Sequence, residues 1–268
     1  MNQYPKFARH IGIDYSGAET PHSPLKGLRV YLASGDGDAD EVLPHSSKQK
    51  YLSRREIAEW LVTRLKEDIP TIIGIDHSFS FPIRYFEVHN LRQDWPAFLD
   101  DFQAHWPTEQ DHMYVDFIRH GIHGDGAART GSSRWRRACE KRCGAKSVFH
   151  FDVPGSVAKS THAGIPWLRY LRQELGSRLH CWPFDGFTIP PGRSVVAEAY
   201  PKLCKLAYPV DGRTQDQHDA YSVAMWLRDA DNDGRLQAAL HPDLDDALQM
   251  LARVEGWILG VSASASTD

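Results

Sequence analysis

Two β-branched runs of this chain end in the same four residues, Ile11-Gly12-Ile13-Asp14 and Ile73-Gly74-Ile75-Asp76. Each reads as a strand tipped by a carboxylate. Side chains alternate along a strand, so each glycine shares a face with its acid and leaves room for something to lie against the backbone there. Set side by side, two such strands bring two carboxylates together, and like charges at close range raise each other's pKa unless a cation or a shared proton intervenes. A third strand, Ser194-Val195-Val196-Ala197-Glu198, also ends in an acid and stops at Pro201. On the helix expected from Gln215, Ala220, Val223, Ala224 and Leu227 form one face, with Asp216 near its centre and Asp219 at its margin. Any one of these acids is explained more simply as a capped strand end, and Asp216 as an N-cap favoured by the helix dipole. As a set, Asp14, Asp76, Glu198, Asp216 and Asp219 suit a hard cation, Mg²⁺ or Mn²⁺. Two such ions, roughly 3.5–4 Å apart, would activate water and stabilise the leaving oxygen of a phosphodiester.

The elements that must position these acids follow from the pattern. Strands are expected over His10–Tyr15, Leu28–Ala33 and a short stretch near Glu41–Leu43, with a hairpin-type turn at Gly35-Asp36-Gly37-Asp38. Ser53 caps a helix carrying the stripe Ile57, Leu61 and Leu65, which ends near Asp68 before Pro70 and the second acid-tipped strand. Strand, hairpin, helix, strand is a crossover that makes the two acid-tipped strands parallel neighbours. Between about 85 and 165 no clean period emerges. Helices are expected near 94–105 and 133–143 in a largely helical insertion, then one from Ser160 or Thr161 through Leu171. Further helices are expected at about 215–229 and 242–259. The reading is one domain over 1–260, with a disordered tail over 261–268.

The order of these pieces resembles the RNase H-like superfamily, and most of all a widespread bacterial family of unknown function whose members are predicted to be RNase H-like nucleases. The residues that carry the resemblance are Ile11–Asp14, Ile73–Asp76 with Phe81-Pro82 beyond, and Glu198-Ala199-Tyr200-Pro201. Gly155–Ser160, Gly164–Leu168 and His218-Asp219-Ala220 add to it. The Asp216-x-x-Asp219-Ala220 helix is also similar to one that completes the metal site in Holliday-junction resolvases. The resemblance implies an α/β fold with a mixed five-stranded sheet ordered 3-2-1-4-5, the first and fourth strands adjacent, and a two-metal phosphodiesterase site. RNase H itself draws a ligand from a glutamate on its first helix. Here Glu56 and Glu59 fall away from the Ile57 stripe, so Glu198 would substitute from a strand.

Other residues are candidates for substrate contact. Ser16 lies in the turn after the first strand, and Lys159 in a small-residue loop before a helix, suited to a phosphate though not a Walker motif. The one basic run, with Arg134 and Arg137 among seven cations between 129 and 146 and Trp135 beside them, could grip a phosphate backbone and stack a base. It reads equally as a solvated helix that buries Trp135, Cys139 and Cys143. Cys139, Cys143, His120, His123 and His150 fit no standard zinc spacing. Asp229–Gly234 opens like a calcium-binding loop but has Leu240 where a bidentate Glu belongs. His77 could shuttle protons, and His218 is expected to point away from the buried face.

Composition bounds the rest. With 268 residues, 41% hydrophobic and 25% charged, the chain is of ordinary globular make-up, and its net charge of −4 excludes a wholesale nucleic-acid coat. Four cysteines without a CxxC pair, and an N-terminus without an apolar leader, fit the cytoplasm. No run approaches the roughly 18 apolar residues of a membrane span. The expected activity is metal-dependent phosphodiester hydrolysis, in nucleic acid first. The alternatives are an ATP-dependent phosphotransferase of the actin and sugar-kinase type, or a nucleic-acid-binding module that has lost catalysis.

Overall fold

A computed structural model describes residues 7–263. The chain opens with β1 (Arg9–Asp14), β2 (Arg29–Ala33) and the two-residue β3 (Asp40–Glu41), followed by α1 (Arg54–Leu65) and β4 (Thr71–Asp76). Next come α2 (Ile83–Val88), α3 (Trp95–His105), α4 (Val115–Arg119), α5 (Ala138–Cys143) and α6 (Ala158–Leu175). The chain closes with β5 (Leu179–Cys181), β6 (Ser194–Glu198), α7 (Gln215–Asp233), α8 (Arg235–Leu240) and α9 (Asp246–Glu255). Among the described residues no helix is long and apolar enough to cross a membrane.

The six strands form one sheet in the order β3-β2-β1-β4-β6-β5. The β1–β2 and β2–β3 pairs are antiparallel, whereas β1–β4, β4–β6 and β6–β5 are parallel. The expected mixed α/β sheet is present, but it has six strands rather than five, and the added edge strand precedes its inner neighbour in sequence. That edge strand, β5, is three buried residues, too short to show a periodicity. The α1 crossover makes β1 and β4 parallel, as expected. α1 starts at a capping box: the Ser53 hydroxyl accepts from the Glu56 amide and the Glu56 carboxylate accepts from the Ser53 amide.

The sheet buries both faces. On one, Ile11, Ile13, Ile73, Ile75 and Val196 pack against the stripes of α1 and α6 and against an aromatic cluster that includes Phe81, Tyr85, Phe98, Phe102 and Phe149. The stretch read as an insertion therefore adds its aromatics to the main core. On the other face, Ile72, Val195 and Ala197 pack with Val223 and Leu227 of α7.

α7 lies unusually close to the strands. A β-carbon on Gly12 would stand 2.1 Å from the Ala220 carbonyl oxygen and 2.5 Å from the Ala224 nitrogen; on Gly74 it would stand 2.7 Å from Val223 Cγ1. Gly12 thus makes room for the backbone of α7, and Gly74 for side chains of α7 and for Ala199. α7 runs antiparallel to β1, because its N-terminal acids reach the end of β1 that carries Asp14. Four helical residues rise about 6 Å and two strand residues about 6.6 Å. Asp219 therefore stands over Asp14 and Asp76 much as Val223 stands over Gly12 and Gly74.

Several expectations are corrected. The helix expected over 133–143 starts only at Ala138, and that expected over 242–259 ends at Glu255. Asp229–Asp233 is the last part of α7 and not a calcium loop: Asp229 accepts from Tyr208 Oη, and Asp231 from the Phe7 amide. Val261 is buried and its carbonyl accepts from Trp257 Nε1, so the tail expected to be disordered from 261 is packed at its start. Positions 264–268 lie outside the described residues.

Candidate functional site

β1 and β4 are in register over six pairs, and the last pair is Asp14 with Asp76. Neighbouring strands lie about 4.8 Å apart, so the two carboxylates leave adjacent points on one face. Above them, Thr214 is the N-cap of α7: its hydroxyl accepts from the Gln217 amide, and the Gln217 side chain accepts in return from the Thr214 amide. Asp216 is therefore not the cap. It sits in the first turn, with its Oδ2 near Gly27. Asp219, one turn on, is buried.

This gathering leaves an electrostatic mark. Burial, then the charges of Asp76, Asp216 and Asp219, push the Asp14 carboxyl up to about 9, against a smaller opposing pull from Lys205. Burial, then Asp219 and Glu198, push Asp76 up to about 8, again with Lys205 opposing. Four acids are neighbours here without closing on one point, and among the described residues the cation that reaches them is Lys205, whose Nζ donates to Asp219 Oδ1 at 2.9 Å and Oδ2 at 3.2 Å.

Glu198 is placed differently from the sequence expectation. β6 pairs with β4 so that Ala197 is beside Gly74 and Glu198 is beside Ile75. Alternation then sends Glu198 to the face opposite Asp14 and Asp76. There Arg137, fully buried, grips it through two bonds: Nη2 to Oε1 at 2.6 Å and Nη1 to Oε2 at 2.7 Å. The same guanidinium donates to Glu140 Oε1 at 2.8 Å and to the Ser78 hydroxyl at 2.7 Å. Glu255 completes the network by accepting from the backbone amides of Ile83 and Ala138. Glu198 is thus a partner of Arg137, and Arg137 is a buried structural cation rather than an exposed phosphate grip.

The remaining candidates scatter. Ser16 lies near Gly27, in a turn whose carbonyls at Ser16, Ala18 and Glu19 accept from the buried Arg54. Lys159 is inside α6, not in a loop before it, and pairs with Asp116 at 2.6 Å. Arg134 is exposed before α5. Trp135, half-buried, packs edge-on to Phe149, which spends its face on the core. His77 is buried on the face away from Asp76, edge-on to Tyr15 at 4.6 Å, with burial pulling its pKa down to about 4. His218 is buried and not outward as expected; its Nε2 lies 3.2 Å from the Lys205 carbonyl oxygen. Sequence reasoning missed Lys205 and Ser78. The only signal for Lys205 was a cation in the short linker between an acid-tipped strand and an acid-bearing helix.

Beside Asp76 opens a pocket of about 240 Å³ that reaches the Arg137–Glu198 pair, with Lys146 and Lys202 among its lining residues. The four α7-side acids are hard oxygen donors, and two of them have pKa values raised by burial first and by their acidic neighbours second, which fits a divalent ion in type. Their arrangement is not that of a closed cage: among the described residues no three His, Cys, Asp or Glu groups converge closely enough to hold an ion. Asp219 is turned to Lys205 instead.

No family model, curated protein or solved structure matches this chain.

Proposed function

We propose that the chain is a metal-dependent phosphodiester hydrolase acting on nucleic acid, with an RNase H-like arrangement of its first four strands. The observation that carries the reading is the in-register pair Asp14 and Asp76, held at the carboxyl ends of adjacent parallel strands with raised pKa values. Buried paired carboxylates with strongly shifted pKa values at a strand edge mark functional sites more often than structural ones. Asp14, Asp76 and Asp219 would hold Mg²⁺ or Mn²⁺, two ions in the full site, with Asp216 as a further ligand. Bound there, the metal supplies a nucleophilic water and charge stabilisation at the phosphorus. Lys202 and Lys146, at the pocket beside Asp76, would meet the flanking phosphates, and Ser16 would contact substrate from the β1 side. Glu198 takes no part as a ligand and acts by fixing Arg137 and Ser78 behind the end of β4.

The experiment is cleavage of end-labelled single-stranded and duplex DNA, RNA and RNA–DNA hybrid with Mg²⁺ or Mn²⁺. Metal-dependent cleavage by the wild type, lost by at least a hundredfold in Asp14→Asn and Asp76→Asn, is the expected result. Mg²⁺-dependent ATP turnover without cleavage, or metal-independent binding without cleavage, would replace the proposal.

A further inference from the structure

Among the described residues Lys205 is the cation that reaches the acid group, and its placement is specific. It stands in a single 3₁₀ turn, Lys205–Ala207, between β6 and α7. Its ammonium reaches both oxygens of Asp219, while its own carbonyl lies 3.2 Å from His218 Nε2 on the same helix. The side chain is thus held at its tip and its root by consecutive residues of α7. Yet the turn is superficial: the next residue, Leu206, is 95% exposed. The Lys205 side chain is itself partly open to solvent.

From this we infer that Lys205 is a tethered cation that stands in for the divalent ion, neutralising Asp219 in the metal-free chain and giving it up when the ion arrives. The inference rests on the metal reading proposed above and explains why the carboxylates do not converge as they stand. Asp219 can face either the ammonium or an ion shared with Asp14 and Asp76, so metal and lysine compete for it. A lone ammonium among four acids also limits their mutual repulsion, which is greatest in the empty state. Lys205 is a positioning residue on this account: it acts on the site through Asp219.

The test is calorimetric titration of Mn²⁺ into the wild type, Lys205→Met, Lys205→Arg and Asp76→Asn, each checked for folding by circular dichroism. Exchange predicts that Lys205→Met binds Mn²⁺ about tenfold more tightly than the wild type, the order expected from removing one partly exposed competing charge pair. Lys205→Arg, which keeps the charge, should bind like the wild type. Without metal, Lys205→Met should melt lower than the wild type at pH 8, and added Mn²⁺ should reverse that order. A purely structural lysine would lower stability and leave affinity unchanged or weaker. If the wild type binds Mn²⁺, Asp76→Asn loses it and Lys205→Met matches the wild type, the exchange is wrong while the metal site stands. If neither the wild type nor Lys205→Met binds Mn²⁺, with or without an oligonucleotide, the metal reading falls and the exchange with it.

Discussion

The two faces of the sheet end in acids of the same kind with opposite fates. On the face away from α7, Glu198 and Glu140 share the Arg137 guanidinium, with the Ser78 hydroxyl donating to Glu198 and the Arg137 amide to Glu140. On the face covered by α7, Lys205 pairs with Asp219, while Asp14 and Asp76 are pushed far above the usual carboxylate range, by burial first and acidic neighbours second. The acids of the first face are bonded within the chain. Among the described residues Asp14 and Asp76 pair with no cation of their own, and on the reading proposed above that is where a metal ion would bind.

Removing Arg137 should break the first face most severely. Arg137→Met leaves Glu198 and Glu140 buried without a counter-charge, a loss of roughly 3–5 kcal/mol for a broken buried pair. Urea unfolding would measure it, and a loss below 1 kcal/mol would mean that the network is not buried as described. Next in size is Gly12→Ala, whose added carbon would press on the backbone of α7 and lift the helix that carries Asp219. A cost of about 1–3 kcal/mol is expected. Gly74→Ala should cost less, because its nearest obstacle is a Val223 methyl that can turn aside.

The α7 face makes the opposite prediction for pH. A carboxyl whose folded pKa lies above its unfolded value is protonated in the folded chain and ionised in the unfolded one between the two values. It therefore weakens the fold progressively as pH rises through that window. Without metal, stability should fall between about pH 5 and pH 9 on account of Asp14 and Asp76. Asp14→Asn should flatten that fall and exceed the wild type at pH 8 by at least ~1 kcal/mol. Guanidinium unfolding at a series of pH values checks both statements, and a wild-type profile that rises over the window would contradict them. The smallest effect belongs to a pair outside both groups: Lys159→Ala, which breaks the exposed ion pair with Asp116, should change stability by under ~1 kcal/mol and set the baseline.

How far the sequence carried differs between the same two faces. Asp14 and Asp76 were legible because the motif is written twice and the α1 crossover forces the two strands into parallel contact. Asp219 was legible because it breaks the rule that acids lie on the wet side of an amphipathic helix. The side that Glu198 faces was not, since alternation gives faces within a strand but not the register between β6 and β4. That register follows from packing Ala197 rather than Glu198 beside Gly74 under α7. Arg137 was misread for a related reason: its partner lies 61 residues away, and a run of cations reads as a surface until one of them is seen inside. His218 looked outward because the pattern did not show that the Lys205 turn folds back over the start of α7.

The contrast between the faces is tested most directly by following the side-chain carboxyl resonances of ¹³C-labelled wild type from pH 3 to pH 10 by NMR, assigned with Asp14→Asn and Asp76→Asn. The account predicts that in metal-free protein these two carboxyls titrate near pH 8–9, and that saturating Mg²⁺ returns both to the ordinary range below 5. If both already titrate below 5 without metal, the α7 face does not raise them, and the case for a cation-dependent site is lost.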